Sequence, residues 1–265
     1  MSTTTVKLYR KDEDSAFFEY SAMNNNVAIT IKEAVNRGVK LDYLTLDDTD
    51  LSNLTLLAAG GSFRGARFSK VNLNHADFTR SSFIGAEFID CKMNGAWFNH
   101  ANLSRVTMSK VEAEEASFWE ANLMDSTIVN SQLGRSRFSW GRLDGARLLG
   151  CDLSHTQFIG ATLVGCDLYE SCIYGVRLRQ ALLTGARYGK AKMENGVLTL
   201  GDLGFMVHIF DRHIRVGCKL FSTREWENFT DDELSVMWPS ALSFATKYKD
   251  YILRVAKAHQ GPVGC

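Results

Sequence analysis

Residues 76–105 read, in blocks of five, ADFTR SSFIG AEFID CKMNG AWFNH ANLSR. The third residue of every block is large and apolar, and the first is small. An apolar residue recurs at this position without interruption from Phe63 to Leu198, with Ala113 as its small member, and the series of small residues runs from Gly61 to Gly196. Periods of 3.6 or 2 residues would move these positions onto changing faces, so the pattern predicts neither an ordinary helix nor an ordinary strand. Every fifth residue must instead return to an equivalent inward position.

Several blocks carry a more specific pattern. Segments 76–80 (ADFTR), 101–105 (ANLSR) and 121–125 (ANLMD) resemble the pentapeptide-repeat family, whose motif is a small residue, Asp or Asn, Leu or Phe, and two variable residues. The resemblance implies an all-β core folded as a right-handed quadrilateral β-helix, with four pentapeptides per coil. Twenty-eight repeats then make seven coils. At about 4.8 Å per layer, the rod is about 34 Å long.

The segments outside the repeats predict small α+β caps. We divide the chain into an N-terminal strand and helix cap at 1–40, the solenoid at 41–200, and a C-terminal hairpin with helices at 201–265. Residues 41–60 are interpreted as an imperfect first coil, because the five-residue step of its leucines ends at Leu56, seven residues before Phe63. The extra residues predict a bulge where the register resets.

The N-terminal segment predicts two strands and a helix. Residues 6–10 and 16–23 have strand character and are separated by a polar turn. Thr30 and Glu33 have the spacing of a capping box, and Gly38 is placed to end the helix. We expect this short helix to close the first coil.

The C-terminal segment predicts a hairpin from 205–210 and 214–221, capping boxes that begin at Ser222 and Thr230, and a longer helix at 239–259. This helix either caps the last coil or forms a homodimer. The resemblance implies the second use, because family members that act on DNA gyrase commonly dimerise through a C-terminal helical segment. The possible dimer contacts lie on its apolar face, at Phe244, Tyr248, Ile252 and Val255.

Composition limits the function. The 265 residues contain 30 Lys and Arg against 30 Asp and Glu, so net charge gives no reason to expect direct binding to nucleic acid or to a membrane. Residues 61–198 contain 13 acidic and 16 basic residues, whereas duplex DNA of the same length carries about 20 negative charges. The uniform DNA mimicry known in the family is therefore excluded, although a small acidic patch is not.

We expect a cytoplasmic protein that is not an enzyme. No stretch approaches the roughly 18 apolar residues of a membrane span, and the six cysteines form no CxxC pair. We find no catalytic motif and expect no catalytic residue, no cofactor and no metal. His208, His213 and Cys218 lie close in the predicted hairpin, and they leave a thiol nucleophile or metal site open as a minor alternative.

Three tryptophans are the main candidate binding site. Trp97, Trp119 and Trp140 are predicted to point outward on three successive coils, next to His100 and Arg137. Exposed apolar clusters mark interfaces, and Trp with Arg is typical of binding hot spots. The alternative is that the terminal segments cover these rings.

A neighbouring edge carries Glu112, Glu114 and Glu115 around the small inward residue Ala113. It is either a second partner-binding patch above an underfilled core or a solvated corner.

These features favour a non-catalytic protein-interaction scaffold. The tail, with Val216-Gly217-Cys218 and Glu225-Trp226, resembles phage and prophage members of the family. This implies a phage-encoded modulator or inhibitor of a host macromolecule, such as a topoisomerase, a nuclease or a defence factor. One alternative is a structural or adaptor component that assembles through its ends. A weaker alternative is small-ligand binding by the C-terminal region.

Overall fold

A computed structural model describes residues 3–11, 13–56, 60–188, 191–192, 197–200, 203, 207–217, 219–238 and 240–260. Its centre is a four-sided β-solenoid, which confirms the predicted fold class. One side is a parallel sheet of six short strands. These strands are β3 (Thr45–Asp47), β4 (Arg67–Ser69), β5 (Glu87–Ile89), β6 (Thr107–Ser109), β7 (Thr127–Val129) and β8 (Arg147–Leu149).

The other sides are built from single-residue parallel bridges with the same spacing. Ser117 bridges Arg137, and Arg137 bridges Gln157. From Arg67 onwards, each layer lies 20 residues after the previous one, so four blocks of five make one coil. The first layer is different, since Thr45 pairs with Arg67 at a separation of 22 residues. The two extra residues correspond to the step from Leu56 to Phe63, where the spacing between apolar positions is seven residues instead of five.

The core of the solenoid is a set of stacked side chains. Phe98, Phe118 and Phe138 are fully buried, and their ring centroids are separated by 5.3 and 4.6 Å. The column continues to Phe78 and Phe158 at 5.6 and 5.2 Å, as the five-residue pattern predicts. Because each ring contacts the layer before and the layer after, stability accumulates from layer to layer.

The N-terminal cap contains a hairpin of β1 (Thr3–Leu8) and β2 (Phe18–Met23), followed by α1 (Val27–Asn36). The helix covers the first coil, and its buried residues Ile31 and Ala34 belong to the solenoid core.

The ends of α1 test the predicted caps. The capping box predicted at Thr30 is wrong, because Asn26 begins the helix one turn earlier by accepting the Ile29 N–H through its side chain. The C-terminal prediction is confirmed. Gly38 has φ +71°, its N–H donates to the Val35 carbonyl, and the Val39 N–H donates to the Ala34 carbonyl.

The chain leaves the solenoid earlier than the sequence predicts. Strand β9 (Arg187–Tyr188) pairs antiparallel with β10 (Ala191–Lys192), and Leu198 lies in an antiparallel sheet instead of in a seventh complete coil. The ring of Phe210 stacks on Tyr188 at 5.6 Å and belongs to the solenoid core, so it covers the end where another layer would add. An apolar residue every fifth position therefore does not by itself extend the solenoid.

The C-terminal unit combines this sheet with three helices. The sheet has the order β11 (Leu198–Leu200), β12 (Val207–Ile209), β13 (His213–Val216) and β14 (Lys219–Ser222). The predicted strand 214–221 is divided into β13 and β14 by Gly217, which has φ +58°. The helices are α2 (Thr223–Asn228), α3 (Asp231–Ser235) and α4 (Ala241–Gln260), and both predicted capping boxes are present. A second core forms here around Trp226, Phe244 and Ile252.

Candidate partner-binding face

The three candidate tryptophans lie on one side of the solenoid. We call it the tryptophan face and define it by residues 75–80, 95–100, 115–120, 135–140, 155–160 and 175–180. A column of parallel bridges runs along it through Asp77, Trp97, Ser117, Arg137, Gln157 and Arg177. The face is therefore a rigid ladder whose side chains are about 4.8 Å apart from layer to layer.

The tryptophan rings are open to solvent. The exposed fraction is 55% for Trp97, 39% for Trp119 and 55% for Trp140. The alternative in which terminal segments cover the rings is therefore wrong. The three residues lie on a diagonal across the face. Trp97 precedes the inward residue of its layer by one position, Trp119 follows the inward residue of the next layer by one, and Trp140 follows that of the third layer by two. A partner crossing the face along this diagonal would meet all three.

Trp119 is held by its neighbours. Its backbone N–H donates to Asn99 Oδ1 at 3.2 Å, and the same oxygen accepts the Ser117 hydroxyl at 2.6 Å. The imidazole of His100 contacts the indole edge to face, with centroids 4.7 Å apart, and its Nδ1 lies 3.2 Å from Glu120 Oε2. The ring is thus oriented before a partner arrives, which lowers the entropy cost of binding.

Trp140 occupies a corner of the solenoid with φ +61°, a conformation that bulky residues rarely adopt. The next corner along the axis is Gly160, where an added Cβ would lie 2.6 Å from the indole Cε3 of Trp140. The missing side chain of Gly160 therefore leaves room for the indole to lie flat against the next layer. His75 above Gly95 and His155 above Gly175 repeat this arrangement, so a ring over a glycine is a packing motif of these corners.

Two shallow grooves lie on the tryptophan face. One is lined by Asn99, Ser117, Trp119, Arg137, Ser139 and Gln157. The other is lined by Glu115, Arg135, Arg137, His155, Gln157 and Arg177. Because Arg137 and Gln157 line both grooves, the apolar tryptophan surface continues directly into a basic surface.

Sequence reasoning identified Arg137 but missed Arg135, His155, Gln157 and Arg177. The twenty-residue stacking that placed the tryptophans together also places Arg137 and Arg177 in one column, two layers apart. Applying that spacing to charged residues, and not only to aromatic ones, would have found the basic groove.

The predicted acidic edge is divided between two sides of the solenoid. Glu112, Glu114 and Glu115 are all exposed, and Ala113 beneath them is fully buried. Glu115 lies on the tryptophan face with an oxygen 4.0 Å from Arg135 Nη1, whereas Glu112 belongs to the bridge column of the adjoining side. A binding role for these carboxylates stays a prediction.

The four possible dimer contacts lie on the face of α4 that packs within its own chain. Ile252 is fully buried, Phe244 is 5% exposed, and Tyr248 and Val255 pack partly buried against the same core. In this structure they are core residues of the C-terminal unit, which corrects their assignment as contacts available to a second copy. A homodimer through another surface stays a prediction.

The minor alternative of a thiol or metal site falls on β12 and β13. His208 is buried, and burial together with the charge of Arg215 lowers its pKa to about 4. His208 pairs with Arg215 whereas His213 pairs with Ser222, so the two histidines lie on different rungs. Cys218 lies outside the described residues. Within the described ranges, no group of three His, Cys, Asp or Glu side chains is arranged to hold a metal ion.

Cys151 and Cys166 of the solenoid are poor nucleophiles. Burial raises the pKa of Cys166 to about 12 and that of Cys151 to about 11, so both thiols stay protonated at neutral pH. Among the described helices, none combines the length and the apolarity needed to cross a bilayer.

Comparisons with known proteins agree with the repeat architecture. A model described as a pentapeptide repeat region matches residues 81–158, and a model of eight pentapeptide repeats matches residues 62–99 and 146–185. No curated protein matches the chain.

The solved structures that match the chain include a trypsin-treated variant of QnrB1, a plasmid-mediated fluoroquinolone resistance protein. It is 20% identical with a TM-score of 0.33, and the match covers 57% of this chain and 82% of that one. HetL, involved in heterocyst differentiation regulation in the cyanobacterium Nostoc sp. strain PCC 7120, is 18% identical with a TM-score of 0.21. That match covers 63% of this chain and 98% of HetL.

Proposed function

Because the chain belongs to the pentapeptide-repeat family, we propose that it is a non-catalytic scaffold that binds a partner protein through the tryptophan face. The observation that carries this proposal is the exposure of three indoles on successive layers of a rigid side. Exposed tryptophan is costly in water and is typical of the centres of protein interfaces.

The backbone supports this choice of face. Trp140 projects from a corner of the repeat whose left-handed conformation is shared by other corner residues such as Arg80, His100 and Glu120, so its indole is carried on a regular, rigid backbone. Trp119 is oriented by Asn99 and His100 without being covered by them. Both features favour a surface prepared for binding over an accidental apolar patch.

The ends of the solenoid are poorer candidates for assembly. At the N-terminal end, α1 packs Ile31 and Ala34 onto the first coil, and at the other end Phe210 stacks on Tyr188. Segments of the same chain therefore pack onto both ends of the solenoid, while its sides stay exposed. This favours a scaffold that binds a partner through one side over an adaptor that assembles end to end.

We extend the proposal to the kind of partner that the phage-like tail implies. The scaffold would then be phage-encoded and would modulate or inhibit a host macromolecule, such as a topoisomerase, a nuclease or a defence factor. We place its action in the cytoplasm.

A capture experiment tests the tryptophan face. Immobilised wild-type protein and the Trp97→Ala/Trp119→Ala variant are incubated with bacterial lysate, and bound proteins are identified by mass spectrometry. We expect the double variant to lose a partner that the wild type retains, since hot-spot tryptophans contribute about 2 kcal/mol or more each.

Tyr169→Ala is the matched control, because Tyr169 is 50% exposed on a different side of the solenoid. It removes a similar ring without touching the tryptophan face, so its captured proteins should equal those of the wild type. A double variant that retains every captured protein would show that this face is not the interface.

A further inference from the structure

The tryptophan face is divided by charge along the solenoid axis. Its layers from 75 to 120 carry three carboxylates, Asp77, Glu115 and Glu120, and the single arginine Arg80. Its layers from 135 to 180 carry no carboxylate and four exposed arginines, Arg135, Arg137, Arg177 and Arg179. This second group of residues is called the arginine half.

On the side that carries the parallel sheet, carboxylates alternate with arginines along the axis. Arg67 pairs there with Glu87 in the next layer and Arg187 pairs with Asp167 at 3.3 Å, whereas Arg147 has no ion pair among the described residues. In the arginine half, only Arg135 has an ion-pair partner among the described residues, Glu115 at 4.0 Å. Arg137 and Arg177 have none, although the ladder offers a neighbouring position in every layer.

The unpaired guanidinium groups of Arg137 and Arg177 repel each other, but they are also free to bind an anion. Arg137 and Arg177 are separated by the single rung of Gln157, a distance of about 10 Å, and repel each other weakly through solvent. Free guanidinium groups offer planar pairs of N–H donors that match carboxylate geometry. The basic groove therefore has its donors ready for an anion supplied from outside the chain.

We propose that the arginine half binds an acidic, extended segment of a protein partner, while Trp119 and Trp140 pack against apolar residues beside that segment. The inference rests on the proposed scaffold function and names the chemistry of its partner. Among the described residues that line this groove, the one anionic group is the carboxylate of Glu115, which lies at its edge beside Arg135.

The charge division favours a protein over a polynucleotide. A nucleic acid running along the rod would carry negative charge past Glu115 and Glu120, and the chain has a net charge of zero to attract it. A protein can place carboxylates opposite the arginine half and neutral or basic groups opposite the other half. Complementarity with both halves is therefore available only to a partner with mixed charge.

Fluorescence anisotropy with a labelled hexaglutamate peptide tests the inference on the full chain. We expect the peptide to bind the wild type, and to bind the Arg137→Gln/Arg177→Gln variant at least about tenfold more weakly, because the variant loses two charge-assisted contacts and a tenfold change corresponds to only about 1.4 kcal/mol in total. Arg147→Gln removes an exposed arginine from the side of the parallel sheet and should leave the affinity unchanged.

Three results would overturn the inference. They are equal affinity of the wild type and the Arg137→Gln/Arg177→Gln variant, no binding of the peptide to the wild type, and tighter binding of a single-stranded oligonucleotide of equal charge. The last result would assign the face to nucleic acid. The capture experiment with Trp97→Ala/Trp119→Ala remains a separate readout. If the tryptophan variant loses its partner while the arginine variant binds the peptide normally, the scaffold function stands and only the acidic segment is rejected.

Discussion

The solenoid and the C-terminal unit bury polar groups in different ways. In the solenoid, most buried hydroxyls donate to carbonyls within the repeat, as when Ser136 Oγ donates to Leu133 at 2.6 Å and Ser171 Oγ donates to Leu148 at 2.8 Å. Thr45 Oγ1 and Ser126 Oγ are the exceptions among the described residues of the solenoid. In the C-terminal unit, both ring nitrogens of His208, the Nε of Arg215 and the Nε1 of Trp226 are buried without hydrogen-bond partners among the described residues. A repeat can use the same satisfied arrangement in several layers, whereas the C-terminal unit occurs once and must satisfy each buried polar group separately.

The largest expected effect is a loss of packing in the solenoid. Phe118→Ala should lower the free energy of unfolding by about 3–5 kcal/mol, because the ring is fully buried and stacks on Phe98 and Phe138. Urea unfolding followed by circular dichroism measures the change. Rigid layers on both sides prevent the cavity from collapsing, so the value should lie at the upper end of this range.

Phe118→Leu is the control for this prediction. Leu178 already occupies the same column three layers later, so leucine suits the site and should lose clearly less stability than alanine. Equal losses for the two variants would contradict the view that stacked packing stabilises the solenoid.

The second-largest expected effect is a loss of stability of the C-terminal unit at low pH. The pKa of His208 falls from about 6.5 in an unfolded chain to about 4 in the folded protein, first because of burial and then because of the Arg215 charge. Because the pKa is lower in the folded protein, the unfolded state takes up a proton at a higher pH than the folded state does as the pH falls. The contribution to stability is therefore complete above about pH 6.5, and it falls by about 3 kcal/mol as the pH drops towards 4.

His208→Leu isolates this effect, because it removes the titrating ring and keeps an apolar side chain in the site. The difference in unfolding free energy between wild type and variant, measured by urea titration of the helical signal, should change steadily between pH 6.5 and pH 4. A difference that stays constant over this range would show that His208 does not titrate between the folded and unfolded states.

The same contrast explains what could be predicted from the sequence. The inward column from Phe78 to Phe158 and the outward tryptophans follow from counting in fives and twenties, because the repeat fixes the environment of each position. The end of the solenoid does not follow, since Leu198 satisfies the period but pairs with Ile209 in an antiparallel sheet. Its position depends on Phe210 covering Tyr188, a contact between segments that no local pattern connects.

The helix ends show the limit on a smaller scale. The capping boxes at Ser222 and Thr230 were predictable because all their atoms lie within four residues. The N-terminus of α1 was misplaced by one turn, because the helix is capped by Asn26 and not by Thr30. Thr30 is buried and donates its hydroxyl to Asn25, a role that depends on tertiary packing.

The smallest expected effect tests whether the two regions unfold separately. Ser222 accepts the Glu225 N–H, and Glu225 accepts the Ser222 N–H, so Ser222→Ala should cost about 1 kcal/mol at the start of α2. Hydrogen exchange should show lower protection in α2 and in β14, which precedes it, with no change in the strands β4 to β8. Ser222→Asp keeps an acceptor at the cap and should restore protection. If Ser222→Ala lowered protection in the solenoid strands equally, the C-terminal unit and the solenoid would unfold as one cooperative body. The two regions would then differ in how they satisfy buried polar groups but not in their stability.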